Sequence, residues 1–167
     1  MSMSTMTERR RALLAALPAG LLLGTLAPVA RAAQPRLQAP RVVSVGAGVT
    51  EIVYALGGES QLLAVDTSSL YPPQALALPK VGYQRTLSAE GVLSLGPQVL
   101  LAGQEAGPPA VLRQIASAGV KVVHVDGDYT FEGVLERIGT VAAALGRQAE
   151  GRTLADGLSS RWQALRA

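Results

Sequence analysis

Tyr83 and Arg85 are the two residues of this 167-residue chain whose types and spacing best suit ligand chemistry. Tyr83 follows Gly82 in a loop, Arg85 comes two residues later, and Ser88 then caps a predicted helix. In an extended segment these two side chains project to the same side. A nearby guanidinium favours the ionised form of a phenol. We therefore interpret Tyr83 as a ligand contact and Arg85 as its nearby guanidinium. The alternatives are a loop tyrosine packed on the surface for Tyr83 and a plain surface arginine for Arg85.

A glycine-rich turn raises the alternative of nucleotide binding. Gly46 and Gly48 follow a predicted strand, and Asp66 lies twenty residues after Gly46, which superficially matches a dinucleotide fingerprint. The third glycine position holds Glu51, whose side chain obstructs close helix packing and places negative charge near a pyrophosphate. We favour a simple strand-to-helix turn. The alternative is a nucleotide-dependent enzyme on a Rossmann-like sheet, which predicts that the mature chain binds NAD or ATP in calorimetry.

Few other groups suit catalysis or metal binding. His124 is the only histidine and cysteine is absent, so neither a histidine cluster nor a thiolate site can form within the chain. We expect His124 to be a structural residue inside a buried strand. Asp126 and Asp128 follow that strand, where α/β folds bind ligands, although such residues more often cap helices and turns. With no nucleophile elbow or catalytic triad in the sequence, we predict no catalytic residues and no enzyme.

Residues 1–32 have the pattern of an export signal. Arginines at positions 9–11 precede an apolar run that extends to Val29, and Ala30 and Ala32 occupy the −3 and −1 positions of a cleavage site. We predict cleavage after Ala32, a linker at 33–40, and a periplasmic mature protein. A retained membrane anchor is the alternative, which the prolines and glycines inside the run oppose. The arginines also permit twin-arginine export.

Removing this signal changes the charge of the chain. Four of the fifteen basic residues and one of the twelve acidic residues lie in residues 1–32, so eleven of each remain. The formal net charge of +3 therefore comes from the signal, and no basic surface for nucleic acid is indicated. The absence of cysteine excludes a lipoprotein anchor. We predict that the mature protein is not embedded in the membrane.

Apolar runs alternate with amphipathic segments along the mature part. Runs that are apolar throughout and alternate with helices predict an α/β lobe with a central parallel sheet flanked by helices. The predicted strands are 41–45, 62–65, 99–102 and 121–125, and the predicted helices are 50–56, 88–95, 108–119, 130–145 and 152–167.

The last predicted helix carries an apolar stripe of Leu154, Leu158, Trp162 and Leu165. A tryptophan at this spacing is typical of a core residue, yet little of the chain is left to cover it. We therefore interpret the 167 residues as part, or a truncated reading frame, of a longer two-lobed protein. An inactive truncated product is a further alternative.

Three segments, residues 41–57, 66–73 and 78–93, carry a family pattern. Together they resemble the haem-binding periplasmic proteins of bacterial ABC importers, which belong to the class III group that also binds iron siderophores and vitamin B12. The likeness runs from about Arg41 to Gly146. Most of it specifies only the fold. The stretch from Val81 to Gly91, Val-Gly-Tyr-x-Arg-x-Leu-Ser-x-Glu-Gly, is the part that points to haem.

The resemblance implies roles for individual residues. In haem-binding members the tyrosine that matches Tyr83 is the axial ligand of ferric iron, and a phenolate is a hard anionic donor that suits this metal. Arg85 would favour the phenolate or pair with a haem propionate. Tyr71 is a weaker candidate, because its Tyr-Pro-Pro context recurs in relatives with other ligands. Glu90 would form an ion pair with an arginine of the permease, unless it only complements the helix N-terminus.

The resemblance also implies an architecture and a function. Residues 41–147 would form the N-terminal lobe of a class III binding protein, and residues 148–167 would begin the long helix to a second lobe that the chain does not contain. The protein would be a periplasmic haem carrier in iron acquisition, with haem as its transported ligand. Its partners would be the importer permease, the ATPase and an outer-membrane haem receptor system. A siderophore or cobalamin carrier is the alternative within the same group.

Overall fold

In the part of the chain that the structure describes, a four-stranded, all-parallel sheet forms the centre, in the strand order β2-β1-β3-β4. The computed structural model describes residues 39–167. The predicted signal peptide at 1–32 and all but the last two residues of the predicted linker at 33–40 lie outside the described residues. The strands are β1 (Val42–Val45), β2 (Leu62–Val65), β3 (Val99–Gly103) and β4 (Lys121–Val125).

Helices flank the sheet, which confirms the predicted α/β class. They are α1 (Ala47–Ala55), α2 (Ala89–Leu93), α3 (Pro109–Ser117), α4 (Phe131–Leu145) and α5 (Gln148–Arg166). Three 3-10 turns lie between them, at Glu59–Gln61, Pro73–Ala77 and Gln84–Thr86. The helix ends follow local signals: the Ser88 hydroxyl accepts a hydrogen bond from the Gly91 N–H at 3.3 Å, and Gly146 ends α4 with a left-handed φ of 71°.

The two faces of the sheet support two separate apolar cores. Successive strand residues point to opposite faces, so Leu101 joins the core under α1, α4 and α5, while Leu100 joins the core under α2 and α3. Both side chains are completely buried. The central strands β1 and β3 are therefore covered on both sides, as their apolar sequences predict.

β4 differs from the prediction because it lies at the edge of the sheet. Among the strands of residues 39–167 it pairs only with β3, and His124, opposite Ala102 in that pairing, is exposed. The expectation that His124 sits inside a buried strand is wrong. An apolar run such as Val122-Val123 identifies a strand, but the strand order that leaves it at an edge depends on contacts distant in sequence.

α5 begins at Gln148, four residues before the helical stripe that the sequence shows from Arg152, and packs through Leu154 and Leu158 on the core under α1 and α4. Trp162 stacks on Phe131 of α4 with ring centroids 4.9 Å apart and nearly parallel planes. Leu165, one turn further on, is 82% exposed. The apolar stripe is thus partly covered by the lobe itself.

Among residues 39–167, every helix is too short or too polar to cross a bilayer.

Candidate ligand-binding groove

A groove of about 710 Å³ lies where β1, β3 and β4 end. Gly46, Gly103 and Val125 form its floor at the carboxyl ends of these strands, and Ile52 and Ile138 contribute apolar walls from α1 and α4. Open α/β sheets bind ligands outside the carboxyl ends of their strands. The groove is therefore the candidate binding site of this lobe, and its apolar walls suit a ligand with a large apolar surface.

Two glycines bring the backbone close together at the groove floor. Gly46 has a φ of 106°, and a Cβ atom there would lie 3.4 Å from the Gln84 Oε1 atom. A Cβ atom on Gly103 would lie 3.1 Å from the Val45 carbonyl oxygen. Side chains at either position would crowd the junction of β1 and β3, so packing and backbone conformation explain both glycines. This agrees with the interpretation of Gly46 as part of a strand-to-helix turn.

Asp66 is fully buried beneath the groove and points into the protein. One carboxylate oxygen accepts hydrogen bonds from the Gly46 N–H at 2.9 Å and the Ser69 hydroxyl at 2.6 Å. The other oxygen accepts from the N–H and the hydroxyl of Ser68. Burial raises the pKa of the Asp66 carboxyl, but these hydrogen bonds outweigh burial and hold its pKa below the usual value. An acid engaged in this way is not free to bind a ribose, which argues against the nucleotide alternative.

A chain of buried hydroxyls extends this network to the loop that carries Tyr71. Ser44 and Thr50 are joined by a hydrogen bond of 2.9 Å, and Thr50 and Ser69 by one of 2.8 Å. These contacts connect β1, α1 and the loop after β2. Tyr71 lies two residues after Ser69, is 64% exposed, and lines the groove.

Tyr83 is 45% exposed and lies beside the groove, next to Gln84, which lines it. The condition that would place Tyr83 and Arg85 on the same side, an extended segment, is not met: residues Gln84–Thr86 form a 3-10 turn, and the Thr86 N–H donates to the Tyr83 carbonyl at 2.9 Å. The turn is fixed from outside, because the Gly107 N–H donates to the Gln84 carbonyl and the Leu87 N–H donates to the Gly107 carbonyl. The loop after β3 therefore positions the Tyr83 segment.

Arg85 forms an ion pair with Glu105, a residue that the sequence did not indicate. The Arg85 Nε atom donates to the Glu105 Oε2 atom at 3.0 Å, and the Nη2 atom donates to the same oxygen. The hydrogen bond and charge of Glu105 raise the pKa of Arg85, and nearby Tyr83 and Tyr129 contribute in the same direction. Tyr83, Arg85, Glu105 and Tyr129 therefore form one polar cluster. The sequence pattern indicated Tyr83 and Arg85, whereas Glu105 and Tyr129 have only the signal that each lies shortly after the carboxyl end of a strand.

Three of the four tyrosines of the chain, Tyr71, Tyr83 and Tyr129, are exposed around this groove. Tyr129, which sequence reasoning also missed, is 86% exposed and lines the groove in the loop after β4. Phenol side chains combine an aromatic face with a polar tip and are well suited to ligand surfaces.

The remaining candidate residues lie apart from one another. Glu90 is exposed in the first turn of α2. Asp126 and Asp128 are exposed, and in the described part of the chain their side chains form no hydrogen bond; Thr130 caps α4 instead, at 3.1 Å from the Gly133 N–H. The prediction that these aspartates cap a helix or turn is therefore wrong. Within residues 39–167 no three His, Cys, Asp or Glu side chains come together as a metal site.

Comparison with known proteins identifies the class. The profile of the periplasmic binding protein family matches residues 42–167, and the chain therefore belongs to that family. Its members are solute carriers and not enzymes, which agrees with the prediction of a carrier.

Some relatives of the chain are named as haem-binding proteins and others as vitamin B12-binding proteins. The periplasmic haem-binding protein BhuT, solved with two haems, is 43% identical with a TM-score of 0.72, covering 75% of this chain and 48% of that one. The vitamin B12-binding protein BtuF of Vibrio cholerae is 30% identical with a TM-score of 0.68, covering 77% and 50%. The vitamin B12-binding protein of Pectobacterium carotovorum is 37% identical over 86 residues, which are 52% of this chain and 31% of that protein. The chain spans about half the length of the solved relatives and about a third of the curated one.

Proposed function

We propose that this protein is a periplasmic carrier that captures ferric haem in the groove and delivers it to an ABC importer. The observation that carries the proposal is that Tyr83 and Arg85 flank Gln84, which lines an apolar groove at the carboxyl ends of the strands, and that Arg85 interacts with the lining residue Glu105. The apolar walls suit a planar macrocycle, the Tyr83 phenolate would bind ferric iron, and Arg85 would stabilise negative charge at that position. Haem is the transported ligand and not a resident cofactor.

Vitamin B12 is the second candidate ligand, since relatives of both kinds resemble this chain. Haem is favoured because BhuT is 43% identical and BtuF is 30% identical over similar shares of this chain. Haem also explains an exposed phenol beside a guanidinium. The cobalt of cyanocobalamin already carries axial ligands of its own on both sides of the macrocycle, whereas the iron of haem has axial positions that a phenolate can occupy.

Parallel titrations with ferric haem and with cyanocobalamin distinguish the two ligands. We expect haem to bind the purified chain with a saturable change in its Soret absorption, whereas cobalamin produces no binding heat in calorimetry. Binding of cobalamin without binding of haem would contradict the proposal. NAD and ATP serve as further titrants, and we expect neither to bind.

We propose that a second α/β lobe closes the groove. α5 would be the start of the helix that joins the two lobes, and the exposed Leu165 would be covered there. Residues 1–32 would direct export to the periplasm. In this arrangement the described lobe supplies one wall of the site and the second lobe supplies the other, including any second contact to the haem iron or propionates.

Glu90 is proposed to contact the importer permease. It lies exposed in the first turn of α2, only a few residues after Arg85, so the same segment reaches both the ligand and the surface of the lobe. The other partners proposed for the pathway are the importer ATPase and an outer-membrane haem receptor.

Substituting Glu90→Lys is expected to weaken binding to the purified permease about tenfold, because an attractive charge pair becomes a repulsive one. Surface plasmon resonance on permease in nanodiscs measures this. The haem absorption spectrum should stay unchanged. Glu136→Lys, an equal charge change at an exposed position of α4, is the matched control and should bind as the unmodified chain does. Equal weakening by both variants would contradict a specific role for Glu90.

A further inference from the structure

Glu105 forms an ion pair with the Arg85 guanidinium, to which the proposed ligand would bind. Within residues 39–167, Arg137 lines the groove and donates to the Gly127 carbonyl at 3.0 Å, whereas Arg85 donates to Glu105. Glu105 itself lines the groove, and Arg85 follows the lining residue Gln84. Arg85 is thus occupied by a carboxylate of the chain that stands where an incoming ligand would arrive.

The pair uses only part of the hydrogen-bonding capacity of either partner. Nε and Nη2 of Arg85 both donate to one oxygen, Oε2 of Glu105. Among the hydrogen bonds of residues 39–167, none uses the Arg85 Nη1 atom or the Glu105 Oε1 atom. A guanidinium that grips a carboxylate most strongly engages two oxygens in parallel. The Arg85–Glu105 contact lacks the second carboxylate oxygen of that geometry, because both nitrogens donate to Oε2.

Solvent exposure makes this ion pair easy to replace. The side chains of Arg85 and Glu105 are 58% and 41% exposed. Exposed ion pairs contribute little to stability, since water and salt compete for both charges. A ligand carboxylate held in place by the rest of its molecule can therefore take the position of Glu105 without disrupting the fold.

We propose that Glu105 is a built-in competitor for the carboxylate of the ligand at Arg85, and so a residue that sets affinity and specificity at this groove. This rests on the proposed function, because haem carries two propionate carboxylates. Without ligand, Glu105 neutralises Arg85. When a ligand carboxylate arrives, two anions face one guanidinium, and Glu105 has to turn away. Glu105 thereby lowers the affinity for an anionic ligand and has no such effect on a neutral one.

Metal-free protoporphyrin IX and its dimethyl ester test this competition directly. Both lack the iron to which Tyr83 would bind. They share the same macrocycle, and the ester carries two methyl groups where the free acid has two carboxylate charges. We expect Glu105→Gln to bind the free acid about threefold to tenfold more tightly than the unmodified chain does, as measured by fluorescence titration, with unchanged affinity for the ester. Glu105→Ala, which removes the acceptor altogether, should give the same gain.

Two controls isolate the effect. Glu150→Gln removes an equal charge from the other ion pair of the described residues, Arg147–Glu150, and should leave both affinities unchanged. In an Arg85→Gln chain, the added Glu105→Gln change should give no gain, because there is no guanidinium to compete for.

Several results would overturn the competition. These are an unchanged affinity for the free acid, an equal gain for the ester, a gain that persists without Arg85, or no binding of the free acid to any variant. The porphyrin titrations do not depend on which residue binds iron, because both porphyrins are metal-free. If Glu105→Gln gains affinity but the haem spectrum is unchanged in Tyr83→Phe, only the proposed function is overturned. If the haem spectrum changes in Tyr83→Phe but Glu105→Gln gains no affinity, only the competition is overturned.

Discussion

Replacing Tyr83 with phenylalanine is expected to remove the tyrosinate-to-iron absorption of the ferric haem complex and to weaken haem binding by about 100-fold, or about 2.8 kcal/mol. The phenolate oxygen is the proposed iron ligand, and phenylalanine has none. Among the hydrogen bonds of residues 39–167 none uses the Tyr83 hydroxyl, so its removal leaves the local structure intact. Absorption titration measures both quantities.

Tyr71→Phe and Tyr129→Phe are matched controls, since both remove an exposed hydroxyl beside the same groove. Each should keep the tyrosinate absorption and bind haem within about threefold of the unmodified chain. A Tyr83→Phe chain whose spectrum is unchanged would contradict the assignment of Tyr83. Loss of the absorption in Tyr71→Phe instead would transfer the role to the weaker candidate.

Replacing Asp66 with asparagine is expected to destabilise the lobe by about 3 kcal/mol. Each carboxylate oxygen accepts a backbone N–H, from Gly46 on one side and from Ser68 on the other. Whichever way an asparagine amide turns, its NH2 group faces one of these donors, and a buried N–H is left without an acceptor. Urea unfolding followed by circular dichroism measures the loss.

The effect of Asp66 depends on pH in a defined direction. Because its pKa is lower in the folded protein than in the unfolded chain, its contribution is fully present above the unfolded value of about 3.9. That contribution is lost as the pH falls through the folded pKa. The stability difference between the unmodified chain and Asp66→Asn should therefore be constant near neutral pH and shrink below about pH 4. Asp128→Asn, an exposed control, should change stability by less than about 0.5 kcal/mol at any pH; a similar loss in both variants would contradict the role of the buried network.

The secondary structure could be predicted from the sequence because its signals are local. The run at Val42-Val43, the hydroxyl at Ser88 and the glycine at Gly146 each act within a few residues, and the structure has the expected strand, cap and helix end at these positions. The edge position of His124 was not predictable in this way. It follows from the strand order, which pairs residues far apart in the chain.

The candidate site was only partly predictable for the same reason. Tyr83 and Arg85 stand out as residue types in a loop, but the 3-10 turn between them depends on hydrogen bonds to Gly107. Glu105 and Tyr129 come from loops after two other strands, and only the folded sheet brings these loops to one end. The ion pair of Arg85 with Glu105 therefore could not be inferred from spacing.

Resonance Raman spectroscopy of the ferric haem complex, with ordinary and with ring-deuterated tyrosine, tests the ligation of iron by Tyr83 most directly. Excitation into the phenolate-to-iron absorption enhances vibrations of the iron-bound tyrosinate but not those of unbound tyrosines, and the deuterium shift separates the tyrosinate bands from those of the porphyrin. We expect isotope-sensitive tyrosinate bands in the unmodified chain and in Tyr71→Phe and Tyr129→Phe, and their absence in Tyr83→Phe. Bands that persist in Tyr83→Phe, or a haem complex of the unmodified chain without any isotope-sensitive band, would contradict Tyr83 as the iron ligand.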